Sequence, residues 1–165
     1  MIYTNRLVLR KFKENDIDLI YDINNDPECI KFNGWDSMSY DECKTVLKKW
    51  MDSYDDKCSI GVFCIECNKS KEKIGMAFIK VYAEPGQYEI GFRLRRLHWD
   101  KGYAKEITKG FISHAEAKLN AKEIVAEVYK ANTRSRSIFE KLGFDMYQHP
   151  DGEDGLLYRL VLNKE

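Results

Sequence analysis

Between residues 59 and 94 the chain carries three successive runs rich in Ile, Val, Phe and Tyr, at 59–67, 73–82 and 87–94. Only short polar breaks separate them, Asn68-Lys69-Ser70-Lys71 and Glu84-Pro85-Gly86. Such breaks suit turns, because Asn and Ser bond nearby backbone, Pro fixes φ and Gly reaches positive φ. Runs of this length and composition favour strands. Strands joined by so few residues pair as an antiparallel meander. A chain with this centre builds a sheet, and its flanks must cover it.

The flanks supply that cover. Arg6-Leu7-Val8-Leu9-Arg10 alternates polar and apolar residues and predicts a first strand. Asn15-Asp16 offers a cap for a helix carrying Ile17, Ile20, Tyr21 and Ile23. A short helical piece after Pro27 leads into the loop at 31–36. Ser39-Tyr40-Asp41-Glu42 is a capping box, followed by Cys43, Val46, Leu47, Trp50, Met51 and Tyr54 at helical spacing. After the meander, Gly102 opens a long helix with Ala104, Ile107, Phe111, Ala115 and Leu119 on one face. Residues 124–128 read as a strand, 132–142 as a helix ended by Gly143, and 144–147 and 156–162 as closing strands. No repeat or linker divides the 165 residues, so the expectation is one domain, 1–165, of mixed α/β class.

Charge and composition narrow the function. Lys and Arg number 27 and Asp and Glu 27, a balance unlike the basic excess of a dedicated nucleic-acid binder. No apolar run reaches the roughly 20 residues of a membrane span, and Met1-Ile2-Tyr3-Thr4-Asn5-Arg6 lacks a signal-peptide core. The expectation is a cytoplasmic protein with neither nucleic-acid nor membrane partner. Five cysteines (Cys29, Cys43, Cys58, Cys64, Cys67) suit reduced thiols. Cys64-Ile65-Glu66-Cys67 lies in a strand-like run with no second pair at ligand spacing, so no metal site is expected.

The segment from Arg93 to Lys105 holds five Lys and Arg against one Asp in an otherwise neutral chain, and joins a strand to a helix N-terminus. Helix N-terminal N–H groups point outward, the dipole adds positive potential, and a glycine lets an anion approach the backbone. The residues alone leave two readings open, a phosphate site or a solvated basic loop.

Lys101-Gly102-Tyr103-Ala104 after a strand resembles the acetyl-CoA pyrophosphate loop of the GNAT acetyltransferase superfamily, Q/R-x-x-G-x-G/A. Thr4-Asn5-Arg6-Leu7-Val8-Leu9-Arg10 resembles the opening strand of its ribosomal-protein N-terminal acetyltransferase branch, and Tyr88-Glu89-Ile90-Gly91-Phe92 that branch's fourth strand. Asn132-Thr133-Arg134-Ser135 with Phe139-Glu140-Lys141-Leu142-Gly143-Phe144 resembles the second CoA-contacting segment. The resemblance implies a twisted, mostly antiparallel sheet of about seven strands, flanked by helices, in which strands four and five are parallel and splay apart. It implies acetyl-CoA as co-substrate, bound along the splay. Backbone N–H groups near Phe92 and Leu94 would polarise the thioester carbonyl. The amides of Lys101, Gly102, Tyr103, Ala104 and Lys105 would hold the pyrophosphate, with Arg95, Arg96 and Lys101 adding charge, and Asn132 would bond the pantetheine.

Two departures stand in the loop. Trp99 occupies the Gln/Arg position, and Asp100 a position usually Gly, where its carboxylate either caps the helix or competes with phosphate. Acyl transfer to an amine needs a base, since alkyl amines are protonated at neutral pH. The resemblance gives that role to Glu89. Phe139 stands where many relatives carry an acidic Tyr, leaving Ser135 as the nearby hydroxyl. The cysteines lie outside these motifs, which favours direct attack in a ternary complex over an acyl-cysteine. His98 flanks the loop, His114 faces out of the long helix, His149 borders a turn, and none is assigned to catalysis.

The acceptor pocket is expected from the loop between the first two helices, the third and fourth strands and the last hairpin. Phe32, Trp35, Tyr82 and Tyr147 supply apolar wall, and Asp26, Glu28 and Asp36 attraction for a cationic amine. A protein N-terminus and a small-molecule amine both fit, as do a monomer and a homodimer. The alternative on the same fold is a non-catalytic acyl-CoA-binding module.

Overall fold

The computed structural model describes residues 1–32, 36–54, 59–150 and 152–162. An eight-stranded sheet forms its frame: β1 (Ile2–Tyr3), β2 (Leu7–Lys11), β3 (Gly61–Cys67), β4 (Lys73–Val81), β5 (Gln87–Leu94), β6 (Glu123–Tyr129), β7 (Asp145–Gln148) and β8 (Gly155–Val161). The order across the sheet is β1-β2-β3-β4-β5-β6-β8-β7. Neighbours run antiparallel except β5 and β6, which are parallel. The strand beyond the expected seven is the two-residue edge strand Ile2–Tyr3, too short to leave an alternation in the sequence.

The helices are α1 (Ile17–Asn25), α2 (Pro27–Ile30), α3 (Tyr40–Asp52), α4 (Tyr103–Leu119) and α5 (Thr133–Lys141). Ser39 starts α3 through the expected capping box: its Oγ accepts from the Glu42 amide at 3.3 Å, and Glu42 Oε2 accepts from the Ser39 amide at 2.7 Å. Asp16 makes no side-chain cap bond to α1. Its fully buried carboxylate instead takes Arg10 Nη1 at 2.7 Å and Nη2 at 3.1 Å, Lys73 Nζ at 2.8 Å and the Lys13 amide at 2.8 Å. Burial pushes this carboxyl upward, but these donors prevail and hold it below its ordinary value. A buried charge without such partners would be prohibitive, which is why capping loses here.

Apolar residues cover both faces of the sheet. On one, Ile107, Phe111 and Ala115 of α4 and Phe139 of α5 pack with Ile90, Leu94, Ile124 and Ala126. On the other, Leu19, Ile20 and Ile23 of α1 and Cys43 and Leu47 of α3 pack with Cys64 and Met76. His114, expected to face solvent, sits against Ser59, with Nε2 2.6 Å from the carbonyl. The parallel pairing of β5 and β6 covers Gln87↔Glu123, Tyr88↔Ile124 and Glu89↔Val125 and then stops. Beyond it β5 follows β4 as far as Leu94↔Gly75, and β6 follows β8 as far as Tyr129↔Gly155. Each strand stays with its other neighbour, so the two diverge.

Candidate active site

The divergence opens a cleft of about 1070 Å³. The Arg95 amide donates to Ile74 O at 2.9 Å and Gln87 O accepts from the Tyr82 amide at 2.9 Å, so odd-numbered residues of β5 bond to β4. By strand alternation the main-chain groups of Ile90, Phe92 and Leu94 face the cleft. The Leu94 carbonyl is engaged there by Trp99 Nε1 at 2.8 Å. Phe92, Leu94, Gly102, Tyr103, Ala104, Lys105, Asn132 and Ser135 all line this one cleft.

At one end lies the N-terminus of α4. Its N-cap, Gly102, has φ +78 and supplies no side-chain cap, so the first amides of the helix stay outward. Arg6 braces the turn: Nη1 donates to Lys101 O at 3.1 Å, the guanidinium lies 4.4 Å over the Tyr103 ring, and Nε meets Glu106 Oε2 at 2.7 Å. Asp100 does not cap α4. It adopts φ +58, a conformation Asp accepts more readily than most residues, and its carboxylate lies 3.3 Å from Arg134 Nη2. The Arg134 guanidinium in turn lies 4.7 Å over the Trp99 ring.

Three of the sequence candidates lie away from the cleft wall. Arg95 pairs with Asp22, Arg96 Nε is 3.4 Å from Asp26, and the exposed Lys101 offers its carbonyl to Arg6. His98 is buried beneath the loop, with Nε2 3.1 Å from Glu72.

Glu89 occupies the point where pairing ends. It is 7% exposed and faces Lys80 across the β4–β5 ladder, with Oε2 2.8 Å from Nζ. Burial pushes its carboxyl upward, Lys80 opposes that push and Glu127 reinforces it. Glu127 lines the facing strand, 3.3 Å from His149 Nε2. Tyr82 joins this group: burial and Glu127 raise its phenol. Tyr147 lies further along the last hairpin beneath the Arg159 guanidinium, 5.9 Å away. Phe32 reaches the cleft 6.4 Å from the Tyr129 ring, while Trp35 lies outside the described residues. Asp26 is spent on Arg96 and on the α2 cap, where Oδ1 accepts from the Glu28 amide at 3.0 Å.

Asn132 Oδ1 accepts from the Ser135 amide at 3.2 Å and so starts α5. Phe139 is packed against Phe92 at 6.3 Å, Phe144 at 5.1 Å and Tyr158 at 5.6 Å, and offers no hydroxyl. The nearest phenol in that cluster, Tyr158, donates to Glu140 at 2.8 Å. Arg134, Glu127 and His149 line the site, although sequence reasoning assigned Arg134 and His149 no role and did not single out Glu127. Arg134 stood inside the segment that resembles the second CoA-contacting motif but was given no role of its own, being a cation in the first turn of a helix, where the dipole disfavours it. Among the described residues no group of His, Cys, Asp and Glu is arranged to hold a metal ion, and no helix is long and apolar enough to cross a membrane.

Residues 6–145 match the family model of the Acetyltransferase (GNAT) domain. The uncharacterized N-acetyltransferase p20 of Bacillus licheniformis is 30% identical over 87% of this chain and 81% of its own. A GNAT-family acetyltransferase from Bacillus anthracis superposes with a TM-score of 0.85 at 20% identity, covering 97% of each chain. RimL, a ribosomal L7/L12 alpha-N-protein acetyltransferase solved with coenzyme A, superposes with a TM-score of 0.79 at 14% identity over 96% of each chain.

Proposed function

The chain belongs to the GNAT acetyltransferase family, and on that premise we propose that it moves an acetyl group from acetyl-CoA to a primary amine by direct attack in a ternary complex. The observation that carries this reading is the continuity of the cleft, which runs from the uncapped N-terminus of α4 to the buried carboxylate of Glu89.

The residues present fit the co-substrate. Gly102 leaves its backbone bare at the helix start, and the amides of Tyr103, Ala104 and Lys105 are suited to a pyrophosphate. Asn132 and the open edge of β5 suit the amides of a pantetheine arm. Acetyl-CoA supplies an activated acyl group and a thiolate that leaves readily. The N–H groups of Phe92 and Leu94 face the position where negative charge develops on a carbonyl oxygen, and a fixed dipole there lowers the barrier without reorganisation.

Glu89 acts as the base. Its raised affinity for protons, set by burial, brings it closer to the amine it must deprotonate. Glu127 and Tyr82 flank the incoming ammonium. Ser135 lies on the cleft wall to bond the departing sulfur, and a thiolate of ordinary basicity does not need the Tyr that Phe139 replaces. The acceptor is a protein N-terminus or a small-molecule amine, and the aromatic surface of Tyr82 and Tyr147 is its wall; Trp35, expected there from the sequence, lies outside the described residues. The 165 residues act as one domain, as monomer or homodimer. Free Cys29, Cys43, Cys64 and Cys67 suit a reducing cytoplasm.

A second reading, a non-catalytic acyl-CoA-binding module, is favoured by the missing hydroxyl at Phe139 and opposed by the buried Glu89. Thermal shift with acetyl-CoA, CoA and ATP, followed by thiol release over an amine panel, separates them. A large shift with acetyl-CoA and thiol release with at least one amine is expected. Stabilisation without release on any amine supports the binding module, and no shift at millimolar acetyl-CoA refutes both.

A further inference from the structure

Arg134 stands in the first turn of α5, a nine-residue helix whose N-terminal dipole disfavours a cation. The guanidinium is not buried in the core: its side chain is 58% exposed, and that of its partner Asp100 is 72% exposed. Two contacts fix its position. Asp100 Oδ2 is 3.3 Å from Nη2, and the Trp99 ring lies beneath the guanidinium at 4.7 Å. The partners stand three and two residues before Gly102, so the cation is delivered from α5 to the loop before the uncapped N-terminus of α4, and it lines the same cleft. Two helix N-termini and a guanidinium therefore converge at this mouth, with Asp100 as the counter-charge. Asp100 holds the left-handed conformation at φ +58, which presents its carboxylate to Arg134 instead of to the helix amides. Trp99 occupies the loop position where the related pattern carries a polar or cationic side chain, and Arg134 restores a cation directly over its ring.

We propose that Arg134 is a phosphate-binding residue of this cleft, and that Asp100 holds it in a latch displaced by a phosphate group at the nucleotide end of CoA. The inference rests on the cleft being a CoA site. An exposed ion pair contributes little to stability and is exchanged readily. An Arg–phosphate bond is charge-assisted and frequently bidentate, so phosphate can outcompete a single carboxylate held at 3.3 Å. The Trp99 face keeps the planar guanidinium oriented during the exchange. The latch thus keeps the guanidinium paired at the cleft mouth when the cleft is empty and frees its donors for a phosphate that arrives.

Calorimetric CoA titration of wild type, Arg134→Gln, Asp100→Asn and the double variant tests this. Asn tolerates positive φ as Asp does, so Asp100→Asn removes charge without adding strain. Arg134→Gln is expected to weaken CoA about tenfold, and Asp100→Asn to tighten it about threefold, in keeping with a charge-assisted contact made and a competitor removed. Arg134→Gln is expected to cost more in the Asp100→Asn background than in wild type. Ligand-free melting temperatures should move by about 2 °C or less, as befits an exposed pair. A merely structural tie is broken by either substitution, so CoA affinity moving in the same direction in both single variants overturns the latch. Additive effects overturn it as well, since Asp100 then acts on phosphate independently of Arg134. No CoA binding by wild type refutes the reading of the cleft itself, whereas wild-type binding that Arg134→Gln leaves unchanged refutes only the role given to Arg134.

Discussion

Glu89→Gln separates catalysis from binding at one atom. The amide keeps the size of the carboxyl and can still accept from Lys80 Nζ, which lies 2.8 Å from Oε2 and is itself 59% exposed and able to turn to water. What is lost is the ability to take a proton. A positioned base contributes about 10²–10⁴ in rate, so turnover at saturating amine should fall by that factor, about 2.7–5.5 kcal/mol of barrier. CoA affinity should hold, because the amides proposed for the phosphates sit at the far end of the cleft. The pH profile carries the sign: burial raises the Glu89 carboxyl above its ordinary value, so wild-type kcat/KM should rise with pH through a limb displaced upward from the usual carboxylate range. That limb should vanish in the variant. The same burial predicts that the variant is the more stable protein above that limb. A group with a raised folded pKa contributes stability below its unfolded pKa and loses it as pH rises through the folded value, and Gln has no such loss. Stopped-time thiol release across pH, with melting curves in parallel, measures both. Unchanged turnover at saturating amine, with the pH limb intact, refutes the assignment of the base.

Gly102→Ala should lower the ligand-free melting temperature by about 2–8 °C, the strain of a non-glycine residue in the left-handed region being about 1–2 kcal/mol, and should weaken CoA; an unchanged melting temperature contradicts the positive φ at this N-cap. Asp16→Asn leaves Arg10 and Lys73 facing a neutral group and should cost about 3–5 kcal/mol, read as a lowered denaturant midpoint at constant slope. Because the Asp16 carboxyl is held below its ordinary value, its contribution is present above about pH 4 and lost as pH falls through the folded value, so an acid limb of wild-type stability should flatten in the variant. Arg6→Ala removes the brace between Glu106, Lys101 and Tyr103 and should weaken CoA several-fold while the amine KM stays constant, a split measurable by initial rates.

The meander at 59–94 and the helix from Gly102 were legible because their signals are local: residue type, spacing and turn chemistry. The β5 bounds agree with the sequence reading residue for residue, and the α3 capping box is present as read. Asp16 was misread because its choice between capping α1 and pairing with Arg10 and Lys73 is made by tertiary contacts 6 and 57 residues away in sequence. His114 was misread for the same reason, its partner being the carbonyl of Ser59. At the candidate site, the motifs named Glu89, Gly102 and Asn132, which line one cleft. They did not say which basic side chains turn inward. Arg95 and Arg96 stand beside the loop in sequence yet point to Asp22 and Asp26, while Arg134, remote in sequence, crosses to Asp100.

The three-pair seam between β5 and β6 has a mechanical meaning. Five strands lie on one side of it and three on the other, so the frame is a pair of leaves hinged along a short edge, with the α4 connection as their strap. Amide exchange in such a frame should fall into two cooperative blocks, opening most readily at the seam. A ligand seated in the wedge bonds to both leaves at once and works as a staple. It should slow exchange over residues 158–161 of β8, beyond the part of that strand that lines the cleft, as much as in β5, and raise the cooperativity of melting along with its midpoint.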